Sequence, residues 1–191
     1  MAERFIPAHG GYRKLLSYQR AEIVYDATVR FCERYLNRRD RTVDQMVQAA
    51  RSGKQNIIEG SLASGTSKET EIKLTNVARA SLEELLADYR DFLRIRGLQE
   101  WDKDHPHARR LAALVRTPGA TYETFKNGIE HPDPAIAANV VIGLIKVASY
   151  LLDRQLRQLE KAFVEEGGLR ERMTGARLRE RARRGPRPAG T

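Results

Sequence analysis

Cysteine is almost absent from this chain, with Cys32 alone among 191 residues. One thiol cannot close an intramolecular disulfide, so a secreted disulfide scaffold is excluded and a reducing, cytoplasmic compartment is expected. Cys32 follows Phe31 at a helical position and reads as a small half-buried side chain rather than a nucleophile. Aromatic residues are only 7% of the sequence, too few for a base-stacking platform. Pro7 is the only proline before Pro106, which leaves long stretches free for helices. The N-terminus, MAERFIPAHGG, lacks the apolar run of a signal peptide. Metal-site spacings are missing as well: His105 and His107 flank one proline, His9 and His131 are remote, and no HExxH, CxxC or EF-hand loop occurs. Gly10-Gly11 and Gly65-Thr66-Ser67-Lys68 lack the strand and the G-x-x-x-x-G-K-[ST] spacing of a phosphate loop. With no Ser/His/Asp or Cys/His set either, the chain is expected to be neither an enzyme nor a cofactor carrier.

Glu, Lys, Arg, Leu and Ala dominate what remains, a bias toward an all-α protein. The length suits one domain with an appendage. The formal net charge is +9. Residues 167–191 hold eight arginines against Glu171 and Glu180, so +6 of it lies in a C-terminal tail. The expected division is a helical domain over 1–166 and a basic, mobile or weakly helical tail over 167–191.

Periodicity predicts a first helix from about Tyr12 to Leu36, with Leu16, Ile23, Ala27, Phe31 and Tyr35 on one face. Thr42 and Gln45 predict the cap of a second, whose stripe is Val43, Met46, Val47, Ala50, Ile57 and Ile58. Gly53 interrupts that stripe, which points to close approach of a neighbour. Thr66-Ser67-Lys68-Glu69 reads as a capping box for a third helix reaching about Arg96, with Ile72, Thr75, Ala78, Leu82, Leu85, Tyr89 and Phe92 inward. Short helices are expected around His107–Val115 and Tyr122–Ile129. Asp133-Pro134 opens the last long helix, which Gly167-Gly168 ends.

The first half of that last helix, AIAANVVIGLIKVASYLL, is apolar on nearly every side. Asn139, Lys146 and Ser149 argue against a membrane span. A bundle helix in a monomer needs one buried stripe, so the excess predicts a subunit interface through Val140, Val141, Leu144 and Val147.

The residues QAARSGKQNIIEGSLASGTSKE, followed by NVARASLEEL, carry the family signal. In Asn56-Ile57-Ile58-Glu59-Gly60, the Lys-Glu helix start and Ser81-Leu82-Glu83-Glu84, the chain resembles the four-helix-bundle proteins encoded in 23S ribosomal RNA intervening sequences. It is most similar to the four-helix-bundle suffix domain variant, including FIPAHGGYRKLLSYQRAEIVYDATVRFCERYL, over roughly residues 4 to 166. The resemblance implies a bacterial protein with an antiparallel up-down four-helix bundle, here with short extra helices between helices 3 and 4, assembled as a homopentamer. Relatives include accessory proteins of diversity-generating retroelements, pentamers that bind nucleic acid and a reverse transcriptase. It implies no enzymatic activity.

Three groups of side chains are candidates. Arg51, Asn56, Glu59 and Glu84 could form a polar network that fixes helix register or binds a ligand. Arg51, Lys54, Lys68, Lys73 and Arg79, with Arg13, Lys14 and Arg20, could gather as a basic bundle face. Arg177, Arg179, Arg181, Arg183 and Arg184 head the basic tail, where phosphate neutralisation would release counterions. Glu59 with Glu69 or Glu71 is read as helix-dipole placement rather than an acid/base pair. The expected role is a non-catalytic oligomeric scaffold binding RNA or DNA. The alternative is a protein-interaction module that touches no nucleic acid.

Overall fold

A computed structural model describes residues 9–184, and these are all-helical. A 3-10 turn at Tyr12–Lys14 precedes α1 (Leu16–Tyr35), α2 (Arg41–Ala63), α3 (Lys68–Ile95), α4 (Pro106–Val115), α5 (Tyr122–Ile129), α6 (Pro134–Glu166) and α7 (Leu169–Arg184). The four long helices pack in a cycle: α1 on α2, α2 on α3, α3 on α6, and α6 back on α1. Ala21, Val24, Ala27, Phe31, Ile57, Leu82, Leu85, Tyr89, Ile145 and Leu152 fill the space between them. Phe31 sits at its aromatic centre, 4.8 Å from the rings of both Tyr89 and Phe92.

Local chemistry sets the helix ends, sometimes one or two residues from where the sequence suggests. α2 is capped by Asp40, whose carboxylate accepts from the Thr42 N–H, so Thr42 is inside the helix rather than its cap. α3 is capped by Ser67, which accepts from the Thr70 N–H, and Thr66 lies outside. Asp133 caps α6 through the Ala135 N–H with Pro134 in the first turn, as expected. Gly167, at φ +66°, ends α6 as expected, in a backbone region that a side chain would strain. At Gly53 a Cβ would stand 2.7 Å from Leu82 Cδ2, which is the close approach the interrupted stripe predicts. Leu16 is a miss: it is 56% exposed, because Leu15 is extended and α1 begins only there.

Residues 97–133 decide the surroundings of α6. The α4 and α5 helices both lie on it, and α5 also packs against α1. Leu111 of α4 occupies the space a side chain at Gly143 would need, and a Cβ at Gly128 of α5 would sit 2.9 Å from Val140. Buried Asn139 clamps the approach strand of chain: it donates to Gln99 O at 2.9 Å and accepts from the Trp101 N–H at 2.7 Å. Arg20, on α1 and 5% exposed, donates to Val115 O and Ala120 O, both at 3.0 Å. Burial lowers its affinity for the proton, and the C-terminal carbonyl of α4 supplies a compensating dipole end. Arg20 is thus a core latch, not a member of a basic surface.

The expected subunit interface is corrected by this arrangement. Val140, Val141 and Leu144 are at most 7% exposed within a single chain. Val147 is half-buried beside a cavity of about 230 Å³ that also touches Leu111, Ala112 and Val115. The apolar circumference of α6 is covered by α1 and α3 on one side and by α4 and α5 on the other, so it gives no ground for a second subunit. The same cover accounts for a stretch long and apolar enough to cross a membrane being 61% buried inside the protein.

Candidate nucleic-acid interface

The bundle cations do not form one patch. Lys54 lies 4.1 Å over the Tyr25 ring on α1 and only partly offsets the burial that raises the Asp26 carboxyl. Lys68 points to the end of α6, donating to Glu166 at 2.6 Å and to Ala162 O at 3.3 Å. Lys73 pairs with Glu69 at 2.6 Å, and Arg79 with Asp153 at 3.2 Å and Asn76 at 3.0 Å. Arg51 is exposed on α2 without a hydrogen-bond or ion-pair partner among the described residues. Four of the five therefore lie beside an acid of their own chain, and Lys54, toward α1, is apart from Lys68, Lys73 and Arg79 on α3. A phosphate would have to displace those partners, which removes most of the expected gain.

The polar network is also corrected. Arg51, Glu59 and Glu84 are exposed, and no bond links them to one another or to Asn56. Asn56 donates instead to Ser52 O at 2.9 Å and Ser52 Oγ at 3.1 Å, and Ser52 Oγ meets Ser81 Oγ at 2.9 Å. The register contact between α2 and α3 is thus made by two serines, whose short side chains let the helices approach. Small size at facing positions was the available signal, and the charged residues beside them obscured it.

Beside that contact lies an open groove of about 940 Å³ lined by Asp44, Gln45, Gln48, Ser52, Ser81, Glu84 and Asp88, with Val47 and Ala49. Burial, then Asp91 and Glu84, raise the Asp88 carboxyl. With acids and no cation in its lining, this groove repels phosphate. Across the molecule, a second groove of about 580 Å³ between α3 and α6 mixes Lys73, Arg79 and Arg157 with Asp153 and Glu160.

The α7 helix is different. It carries seven arginines against Glu171 and Glu180, a net +5 over 16 residues. Arg170, Arg177, Arg179, Arg181 and Arg183 are exposed, and Arg184 closes the helix. It makes no extended packing with another helix. Its root is tied down: Glu171 accepts from the Gly168 N–H at 2.9 Å. At the same end, Lys68 by hydrogen bond and charge, with a smaller contribution from Arg172, holds the Glu166 carboxyl below the usual carboxylate range. The tail expectation is thus sharpened, since the segment is a helix up to Arg184. Residues 185–191, the remainder of the expected tail, lie outside the described residues.

Other chemistry finds little support in the geometry. Cys32 is buried and its thiol is pushed up to about 12, first by burial and then by Asp88 and Glu33. Among the described residues no three His, Cys, Asp or Glu side chains converge as metal ligands would. His105 and His107 instead stack on Trp101, with ring centroids 5.0 and 5.2 Å away. No family model, curated protein or solved structure matches the chain.

Proposed function

We propose that this protein is a non-catalytic helical scaffold that binds nucleic acid, with α7 as its contact element. In this reading α1, α2, α3 and α6 are an antiparallel up-down four-helix bundle, and α4 and α5 are the extra helices between its third and fourth members. Short connections between α1, α2 and α3 support it. So do the bonds joining the start of α1 to the later part of α6 (Ser17 to Gln155) and the start of α3 to the end of α6 (Lys68 to Glu166).

One observation carries the functional part: α7 gathers a net +5 in 16 residues with Arg170, Arg177, Arg179, Arg181 and Arg183 exposed, while Lys54, Lys68, Lys73 and Arg79 of the bundle lie beside carboxylates. Arg177, Arg179 and Arg181 replaced together by Gln should weaken retention of a labelled nucleic acid and flatten its salt dependence by about 2.7 in log–log slope. Unchanged retention would move the contact to the bundle, and no retention by the unaltered protein at low salt would sink the reading. A homopentameric ring, and a partner such as a reverse transcriptase, belong to the same proposal through the family resemblance. Such a ring would have to use a surface other than Val140, Val141 and Leu144, and solution mass by light scattering tests it. The acidic α2–α3 groove favours a second reading, in which a partner protein docks there without nucleic acid.

A further inference from the structure

The arginines of α7 are not scattered, and they do not form a single face. At about 100° per residue, Arg170, Arg177 and Arg181 fall within about 40° of one another. Arg172, Arg179 and Arg183 fall within a second band of about 40°, on roughly the opposite side of the helix. One flank between the two rows holds Glu171, Gly175, Leu178 and Ala182, and the other holds Leu169, Met173, Ala176 and Glu180. Leu178 and Met173 are 57% and 44% exposed, so the rest of the chain covers neither flank fully.

A helix that meets a flat anionic surface, or one extended strand, gains from cations on one side only. A second row on the far side would stay in water and contribute nothing. Two opposed rows suit a channel with anionic walls. The major groove of B-form DNA is such a channel: it is about 12 Å wide, admits an α-helix, and has a phosphate rim on each side. The major groove of an RNA duplex is too narrow and deep to do the same. We infer that α7 lies in the major groove of double-stranded DNA, with Arg170, Arg177 and Arg181 on one phosphate rim and Arg172, Arg179 and Arg183 on the other. This rests on the nucleic-acid reading above and names its substrate class.

Two properties follow from the residues between the rows. From Arg170 to Arg183 the helix rises about 20 Å, which spans about six base-pair steps. Each flank is mostly apolar and carries one carboxylate, Glu171 or Glu180, so few groups can reach base edges. Binding is therefore positioned mainly by phosphates, with little reading of base order. The α7 helix is also marginal by itself, with Gly175 in its middle and no extended packing on another helix. Seating it in the groove will raise its helicity.

The test is fluorescence anisotropy with the full chain and a labelled 20-base-pair DNA duplex, repeated over a salt series. An RNA duplex and a single DNA strand of the same sequence are run beside it. Two triple variants, R170Q/R177Q/R181Q and R172Q/R179Q/R183Q, each remove one row, and thermal melting checks that both stay folded. The expected result is that DNA duplex binds at least tenfold more tightly than either alternative. Each variant should lower the salt slope by about 2.7, and netropsin in the minor groove should leave affinity unchanged. Loss confined to one variant would overturn the two-rim geometry. Equal or tighter binding of RNA or single strand, or displacement by netropsin, would overturn the groove assignment while leaving nucleic-acid binding in place. Absence of binding to all three probes would instead remove the underlying functional reading.

Discussion

The buried carboxamide of Asn139 holds the Trp101 backbone: its Oδ1 accepts the Trp101 N–H at 2.7 Å while its Nδ2 donates to Gln99 O at 2.9 Å. One side chain on α6 thereby satisfies two backbone groups of the chain that leads from α3 into α4. The same residue spends its second N–H on Ala135 O of its own helix, so both of its donors are used.

Replacing Asn139 by Ala should cost about 1–3 kcal/mol, since it leaves both the Gln99 carbonyl and the Trp101 N–H without a partner. Trp101 is the sole tryptophan, so its emission reports the event directly. A urea titration should show a lower midpoint, with the Trp101 signal changing ahead of the far-ultraviolet helical signal. An unchanged midpoint would mean that water replaces both bonds.

Val141→Asp and Leu144→Asp should each destabilise the fold by at least about 3 kcal/mol, because each places an unpaired carboxylate at a site with no solvent exposure in one chain. Thermal melting checks this. A protein that stays fully stable and merely changes its mass in solution would show that these residues face a second subunit after all.

Arg20→Met should cost about 2–3 kcal/mol through the loss of two charge-assisted bonds to Val115 O and Ala120 O. The effect should be local as well as global. Hydrogen exchange in α4 should speed up more than in α2 or α3, since Arg20 ties the end of α4 to α1. Uniform acceleration in all helices would contradict the latch.

Glu100 gives the acid side of the stability profile. Burial raises its carboxyl, but hydrogen bonds from Arg90 and Lys146, at 2.9 and 2.6 Å, hold it below the ordinary 4.5. The folded chain therefore gives up this proton more readily than the unfolded chain. Its contribution is complete above the unfolded value and is lost as pH falls through the folded one. Glu100→Gln should have a lower urea midpoint at neutral pH and a shallower loss below pH 4.5 than the unaltered protein. Because the pair is largely at the surface, the difference should stay within about 1 kcal/mol. Parallel acid limbs in the two proteins would show that the pairing adds nothing.

Much of the helical plan is legible in the sequence because it depends on neighbours along the chain. The stripes Ala27–Phe31 and Leu82–Leu85–Tyr89 repeat at the helical period, and Asp133-Pro134 and Gly167 punctuate α6 through the conformations those residues allow. Even Gly53 marks its contact, since a glycine inside a helix costs stability unless something occupies the space beside it. The candidate site is legible in part. The excess of arginine after Gly168 is a matter of counting, and its division into two opposed rows follows from α7 being a helix.

What the sequence by itself determined is where helices run, where they stop, and where positive charge accumulates in excess, because each depends on residues within a turn or two of one another. Only the tertiary structure decided what those surfaces meet. It put α4 and α5 over the outer side of α6, turning an apparent subunit interface into core. It sent Arg20 inward to carbonyls 95 and 100 residues away. It matched Lys68 and Arg79 with Glu166 and Asp153, and left Arg170, Arg177, Arg179, Arg181 and Arg183 of α7 exposed. Burial and charge pairing are properties of groups brought together from distant parts of the chain, and no local pattern encodes which groups those will be.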